Sequence, residues 1–396
     1  MVKYKNLTKN VINVMAQCRI CGKNSQDISS TISVCVDCIR KFGESSLKYV
    51  KESRKRWREF IGLPAKPPKA HSDYIECRFC VNNCKIPKGS FGFCGIIKND
   101  EGKLTTITGS FDEAFLHYYL DPHPTNCVAE FICPATTSAG YPKYTKTMGI
   151  EYGHYNLAVF FAGCNLDCLF CQNIEHKYMI QHGIPNKRFG EIISVENFVK
   201  ECMQPKITCI CYFGGDPTPH SAFILKASRK ILRKSQEANN IKRICWETNG
   251  LEDPRVMEEI GKIALESGGI IKIDWKAYTP EVYEALTGVN GYSAVERIKE
   301  NVNILVELSK DRPEVPLLVV STLIVPHYVD AIEVKKIAKY LASLDENIPY
   351  SLLAFHPQHL MKDLPRTSKK QMSECYREAK TAGLKNINIG NYWLLI

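Results

Sequence analysis

From Tyr155 to the end of the chain, short apolar runs alternate with longer amphipathic stretches, the signature of repeated strand and helix units. The runs predict strands at Leu157–Ala162, Ile207–Tyr212, Ile244–Glu247, Ile270–Asp274, Leu317–Val325 and Tyr350–Phe355. Between them, Ala222–Ala238, Pro254–Glu266, Ala294–Ser309 and Ala331–Leu341 carry apolar residues at helical spacing, with Lys and Glu on the other face. This alternation implies an α/β fold: a parallel sheet with right-handed crossovers, open or curled into a partial six-stranded (β/α)6 barrel. Functional groups are then expected at the C-terminal ends of the strands.

The pattern upstream is different. The stretch Leu63-Pro64-Ala65-Lys66-Pro67-Pro68-Lys69 cannot continue a helix and reads as a linker. The next segment, to about residue 150, is rich in Gly, Pro and Cys and offers few long periodic runs, so it needs a staple. The expected organisation is a zinc-ribbon-like unit and linker over 1–70, a cysteine-rich unit over 71–150, and a barrel over 151–396.

The chain has 396 residues, 44% of them apolar and 24% charged, enough for a sizeable core and far from the composition of a disordered tail. No apolar run approaches the roughly 18 residues needed to cross a bilayer. The first residues lack an apolar core of signal-peptide length, so a cytoplasmic location is expected, without a membrane partner. Excess Lys and Arg give a net charge of +10, a weak pointer that leaves nucleic acid open as a partner. The basic run Lys51–Arg58 could face RNA, but reads first as a solvated helix with Trp57 as its anchor.

Cysteine changes the picture most. There are 18, and a reducing compartment points them toward metals or clusters rather than disulfides. Cys18, Cys21, Cys35 and Cys38 form two paired knuckles, the layout of a zinc ribbon or rubredoxin-like site. Cys77, Cys80, Cys84 and Cys94 form a second quartet, equally compatible with zinc and with an auxiliary iron–sulfur cluster. Cys127 and Cys133 could ligate a cluster, form a redox pair or pack. Cys202, Cys209, Cys211, Cys245 and Cys375 sit among apolar residues and are expected to pack.

Directly after the first barrel strand come Cys164, Cys168 and Cys171 on one loop, spaced by three and two residues. A four-iron cube needs four ligands, so three thiolates leave one iron open, which suits catalysis. A zinc loop or buried structural cysteines are the alternatives. With Phe170 before the last cysteine, this loop resembles the C-x3-C-x2-C signature of the radical S-adenosylmethionine (SAM) superfamily. The resemblance implies a [4Fe-4S] cluster whose open iron chelates SAM, and a one-electron donor such as ferredoxin or flavodoxin. It also implies cleavage of SAM to methionine and a 5′-deoxyadenosyl radical that abstracts hydrogen from a substrate.

Later strand ends extend the resemblance. Gly214, Gly215 and Asp216 resemble the family's Gly-Gly-Glu element against the SAM ammonium, with Asp in place of Glu. Glu247 and Asn249 in Glu-Thr-Asn-Gly, and Asp274 and Lys276 in Asp-Trp-Lys, resemble elements of glycyl-radical-enzyme activases that contact SAM or a monovalent cation. Glu247 departs from the usual Asp and puts the cation site in question. His356 resembles the activases' late histidine beside the adenine, while the neighbouring His359 has no positional argument. From about residue 75 onward the chain is similar to a pyruvate formate-lyase-activase-like branch linked to AMMECR and Memo proteins, through Gly92–Gly95, Cys171-Gln172-Asn173, Gly214–His220 and Gly390-Asn391. The resemblance implies an oxidoreductase acting on a glycine of a protein substrate. Radical modification of a small metabolite or RNA is the alternative, and a metal-stapled scaffold or electron carrier is the non-enzymatic one.

Overall fold

The computed structural model describes residues 15–396; the signal-peptide reading concerns residues that fall mostly outside this range. All six expected strands form, as Tyr155–Phe161, Ile207–Phe213, Arg243–Thr248, Ile271–Asp274, Leu318–Ile324 and Tyr350–Ala354. They lie side by side in chain order, each parallel to the next. The sheet is larger than the periodicity indicated. A seventh parallel strand, Ile387–Gly390, pairs with Tyr350–Ala354. On the other edge Glu113–Pro122 runs antiparallel to Tyr155–Phe161, and Glu191–Ser194 runs antiparallel to it in turn, giving a mixed sheet of nine strands.

The crossover helices end where local chemistry dictates. Pro254–Ser267 starts on Asp253, whose carboxylate accepts from Arg255 N, has Pro at its first position and stops at left-handed Gly268. Gly291–Ser309 is capped by Asn290 and Ala331–Leu344 by Asp330. Among the described residues no helix is long and apolar enough to cross a membrane.

Residues 123–153 close the N-terminal mouth of the barrel. Cys133, Ala135 and Tyr144 of this plug share a small core with Cys209, Ile270 and Val319 of the strands. Its anchor is Glu151, fully buried, whose carboxylate accepts from Arg243 Nη1 at 2.9 Å, Thr208 Oγ1 at 2.7 Å and Lys146 N at 2.8 Å. With this end plugged, the C-terminal strand ends are left to form the site.

The N-terminal unit is packed onto the barrel. Tyr328 Oη accepts from Ser29 N at 3.1 Å and donates to Val34 O at 3.0 Å, while Arg40 pairs with Asp330 at 2.7 Å and Glu333 at 2.9 Å. The Pro- and Lys-rich stretch is not a loose tether: Leu63 is buried, and Pro68 and Ala70 exchange backbone hydrogen bonds with Lys85. The helix Lys48–Phe60 is not solvated all round either. Arg54 and Arg58 are buried, and Trp57 packs against Tyr178 and His359. Lys51, Lys55 and Arg56 face outward, so two of the five basic side chains of that run are withdrawn from the surface an RNA reading would use.

Burial would raise the Glu151 carboxyl, but Arg243 outweighs it and holds the group at about 2, below its ordinary 4.5. The ion pair therefore contributes fully above about pH 4.5 and fades as pH falls toward 2. Glu151→Gln, which leaves Arg243 buried without its partner, is expected to cost about 3–5 kcal/mol at neutral pH and to flatten this acid-side fall. Urea unfolding measured across that pH range checks both.

Candidate active site

Loops and strand ends at the C-terminal edge of four adjacent strands define one cavity of ≈ 230 Å³. Cys164, Cys168, Phe170 and Cys171 line it from the loop after Tyr155–Phe161. Gly214, Gly215 and Asp216 come from the next strand end, Glu247 and Asn249 from the third, and Asp274 and Lys276 from the fourth. His356 does not join them. Its side chain is exposed and its carbonyl accepts from Gln172 Nε2 at 3.1 Å, so that stretch of chain holds the cysteine loop rather than lining the cavity. Leu353 and Asn391 line that side instead.

The glycines are required by packing. Both have positive φ, and a Cβ on Gly215 would sit 2.2 Å from Gly163 O, while one on Gly214 would sit 2.0 Å from the Phe160 ring. The turn is thus pressed onto the cysteine loop. Asp216 is buried with both oxygens engaged, Oδ1 by Thr218 N at 2.9 Å and Oδ2 by Asn249 N at 2.9 Å. It ties the second strand end to the third. Asn249 Nδ2 in turn donates to Asn165 Oδ1 at 2.6 Å, joining the third strand end to the cysteine loop.

Across the cavity runs a row of alternating charge. Lys272 Nζ lies 2.9 Å from Glu247 and 2.9 Å from Asp274, and Lys276 Nζ lies 3.0 Å from Asp274. Burial would raise Asp274, yet Lys272 and Lys276 hold it well below the usual carboxylate range. Lys272, which the sequence reading did not single out, places an ammonium between the two carboxylates where a monovalent cation was in question. Its signal was available: it precedes Asp274 by two in a strand, so both side chains face the barrel interior.

Beneath the cysteine loop lies a second group that sequence reasoning missed. Asp167, fully buried between Cys164 and Cys168 in sequence, is met by Lys177 Nζ at 2.7 Å, Arg58 Nη1 at 3.2 Å and Arg54 Nε at 3.5 Å. Burial opposes ionisation of Asp167, but Lys177, Arg58 and Arg54 overcome it and hold the carboxyl far below its ordinary value. One carboxylate thus faces three buried cations, an excess of positive charge that calls for an anion nearby. Burial raises all three thiols of the loop, Cys168 to about 12, and Lys177 and Lys276 act against that rise for Cys168 and Cys171. Leu166 N donates to Cys164 Sγ at 3.3 Å. Buried thiols, a backbone donor and surplus cations together fit an anionic, thiolate-ligated iron–sulfur cluster.

The other cysteines separate by geometry. The sulfurs of Cys18, Cys21, Cys35 and Cys38 lie within 4.8 Å of one another, with Cys21 and Cys35 3.8 Å apart. Cys77, Cys80, Cys84 and Cys94 line a separate small cavity. Cys127 Sγ is 3.7 Å from Glu247 Oε1, and Cys133 packs beside Cys209 in the plug core. Cys202, Cys209, Cys211 and Cys375 are buried and Cys245 is half-buried, and Cys209 differs from the packing expectation in that its sulfur accepts from Arg243 Nε at 3.1 Å.

Residues 158–341 match the family model of the Radical SAM superfamily. The uncharacterized protein MJ0808 of Methanocaldococcus jannaschii is 23% identical over 327 residues, covering 82% of this chain and 83% of that protein. Its fellow MJ0674 is 25% identical over 223 residues, covering 54% of this chain and 57% of its own length. Among solved structures, a domain of pyruvate-formate lyase-activating enzyme from Bacteroides vulgatus shares 20% identity over 46% of this chain and 98% of that one, with a TM-score of 0.35. Streptococcus suis SuiB bound to precursor peptide SuiA shares 10% identity over 58% of this chain and 46% of that one, with a TM-score of 0.41. The matched stretch contains the cysteine loop and the strand ends that carry Gly214, Gly215, Asp216, Glu247, Asn249, Asp274 and Lys276.

Replacing Asp167 with Asn keeps the shape of the side chain but leaves three cations without their carboxylate. We expect a loss of about 3–5 kcal/mol in unfolding free energy of the cluster-free protein. Thermal and urea denaturation test this, and a change under about 1 kcal/mol would mean that the cations are satisfied by other groups.

Proposed function

We propose that this protein is a radical SAM oxidoreductase of the pyruvate formate-lyase-activase-like, AMMECR- and Memo-linked type, which removes a hydrogen atom from a glycine of a protein partner in a reducing cytoplasm. The observation that carries the radical reading is the joint lining of one cavity by three cysteines, the paired glycines and the Glu247–Lys272–Asp274–Lys276 row. The choice of a glycyl partner rests on the sequence resemblance alone.

In this reading Cys164, Cys168 and Cys171 hold three corners of a [4Fe-4S] cluster. The bound cluster and SAM supply hydrogen-atom abstraction, driven by one electron from a ferredoxin- or flavodoxin-like donor. The chain supplies the rest. Gly214 and Gly215 keep the strand end low against the cysteine loop, so that main-chain groups face the cavity. Glu247, Asn249, Asp274 and Lys276 offer fixed donors and acceptors to the polar groups of SAM, and Phe170 excludes water from the cluster side. Asp216 acts through Thr218 and Asn249 as a positioning residue.

The four N-terminal sulfurs bind zinc in this account. Tetrahedral zinc with bonds of about 2.3 Å sets its sulfurs about 3.8 Å apart, the spacing of Cys21 and Cys35. The site holds together a unit too small to bury its own core and keeps it docked on the barrel.

Anaerobically reconstituted and reduced protein should release 5′-deoxyadenosine from SAM, and Cys168→Ala should abolish the release while its zinc content stays unchanged. An intact reduced cluster that leaves SAM uncleaved would contradict the assignment. For the substrate, a protein copurified with the enzyme should develop a stable glycyl signal in electron paramagnetic resonance after turnover with SAM. Deuterium transfer into 5′-deoxyadenosine from a labelled metabolite or RNA, with no such protein signal, would replace the glycyl reading.

A further inference from the structure

Cys77, Cys80, Cys84 and Cys94 are brought together by two tight pieces of chain. The hairpin Tyr74–Cys77 with Cys84–Pro87 sets Cys77 directly opposite Cys84, and Cys80 lies in its connection, bridged to Glu252. Cys94 follows in the turn Gly92–Gly95, where Ile96 N donates to its sulfur at 3.4 Å. All four line one small cavity, whose other walls include Asn82, Asn165 and Pro219.

Two quartets of the same ligand type can thus be compared within one chain. Among the described residues, only the N-terminal four close to within 4.8 Å of one another. That spacing suits sulfurs that share a single tetrahedral ion. The Cys77 quartet surrounds its cavity without closing to that distance, as sulfurs must when each binds a different metal atom of a larger body. We propose that this second quartet holds an auxiliary iron–sulfur cluster, and that it passes single electrons to the SAM-binding cluster. All four ligands come from the chain, so no iron is left open for substrate, and beyond stapling its own unit the cluster is suited to electron transfer.

The position supports that role, which rests on the radical SAM reading of Cys164, Cys168 and Cys171. A Cβ on Gly163, the residue before Cys164, would lie 2.7 Å from Cys94 O. Asn82, between Cys80 and Cys84, donates its side-chain amide to Asn165 O, just after Cys164, at 2.8 Å. The ligand loops of the two sites therefore touch on both sides of Cys164. Arg58 spans them: Nη2 donates to Phe93 O at 2.6 Å, the guanidinium stacks 3.7 Å over the Phe93 ring, and Nη1 reaches Asp167. An external one-electron donor, an iron–sulfur or flavin protein or dithionite in the assay, is oxidised by one electron. The auxiliary cluster takes up that electron and returns to its oxidised state on handing it to the SAM-binding cluster.

The test is metal content and spectroscopy of the full-length protein purified without oxygen. Wild type should carry about eight irons and about one zinc, Cys80→Ser/Cys84→Ser should lose about half the iron and keep its zinc, and Cys168→Ala should lose the other half. If the double variant does not fold, wild type reduced with dithionite still decides: two cluster signals are expected, one altered by SAM and one indifferent to it. About four irons with about two zincs in wild type, all the iron lost with Cys168→Ala, would overturn the auxiliary cluster and leave the radical SAM reading standing. Iron confined to the Cys77 quartet, unaffected by Cys168→Ala, would overturn the radical SAM reading itself, and the relay with it.

Discussion

A single carboxylate surrounded by three cations sits under the loop on which the chemistry depends. Asp167 lies inside the Cys164–Cys171 loop, and its partners come from two directions: Lys177 from the chain just beyond the loop, Arg54 and Arg58 from the helix Lys48–Phe60. Burying these charges costs several kcal/mol per ion unless partners and hydrogen bonds repay it. Repayment comes from the mutual pairing and from carbonyls, with Arg54 donating to Ala285 O and Arg58 to Pro64 O and Phe93 O. The loop can therefore take its place only when the N-terminal helix is seated. The cysteine-rich N-terminal half is thereby part of the site's foundation, and the surplus positive charge suits an anionic cluster directly above it.

The rest of the barrel is arranged around that constraint. At the far end Glu151 and Arg243 fasten the plug, so the strands open only at their C-terminal ends. There the strand termini are tied laterally, from Asn165 through Asn249 and Asp216 to Thr218, and onward by the alternating charges from Glu247 to Lys276. The pairs Asn165–Asn249, Asn249–Asp216 and Glu247–Lys272 each join two different strand ends, which fixes the cavity walls before any ligand arrives.

Much of this was legible in the sequence, because barrel strands are short apolar runs and the cysteine loop follows one of them directly. The edges were not. Glu113–Pro122 reads EAFLHYYLDP, in which aromatic and charged residues blur the alternation, and its pairing with Tyr155–Phe161 is a tertiary fact. The last strand, Ile387–Gly390, is too short to show a period. Arg54 and Arg58 lie one turn apart among other basic residues, a pattern indistinguishable from a solvated face until the buried Asp167 is known. His356 failed for the opposite reason: its place after a strand was right, but the chain turns its side chain outward. Lys272 was readable from strand alternation, once the inward face of Asp274 was fixed.

The central claim is that Cys164, Cys168 and Cys171 leave one iron of a cube free for SAM. Mössbauer spectroscopy of anaerobic protein carrying isotopically enriched iron, recorded with and without SAM, addresses it directly. The account predicts that SAM changes the coordination of a single iron in that cluster and leaves the others as they were. A spectrum with the cluster intact and no iron altered by SAM would contradict it.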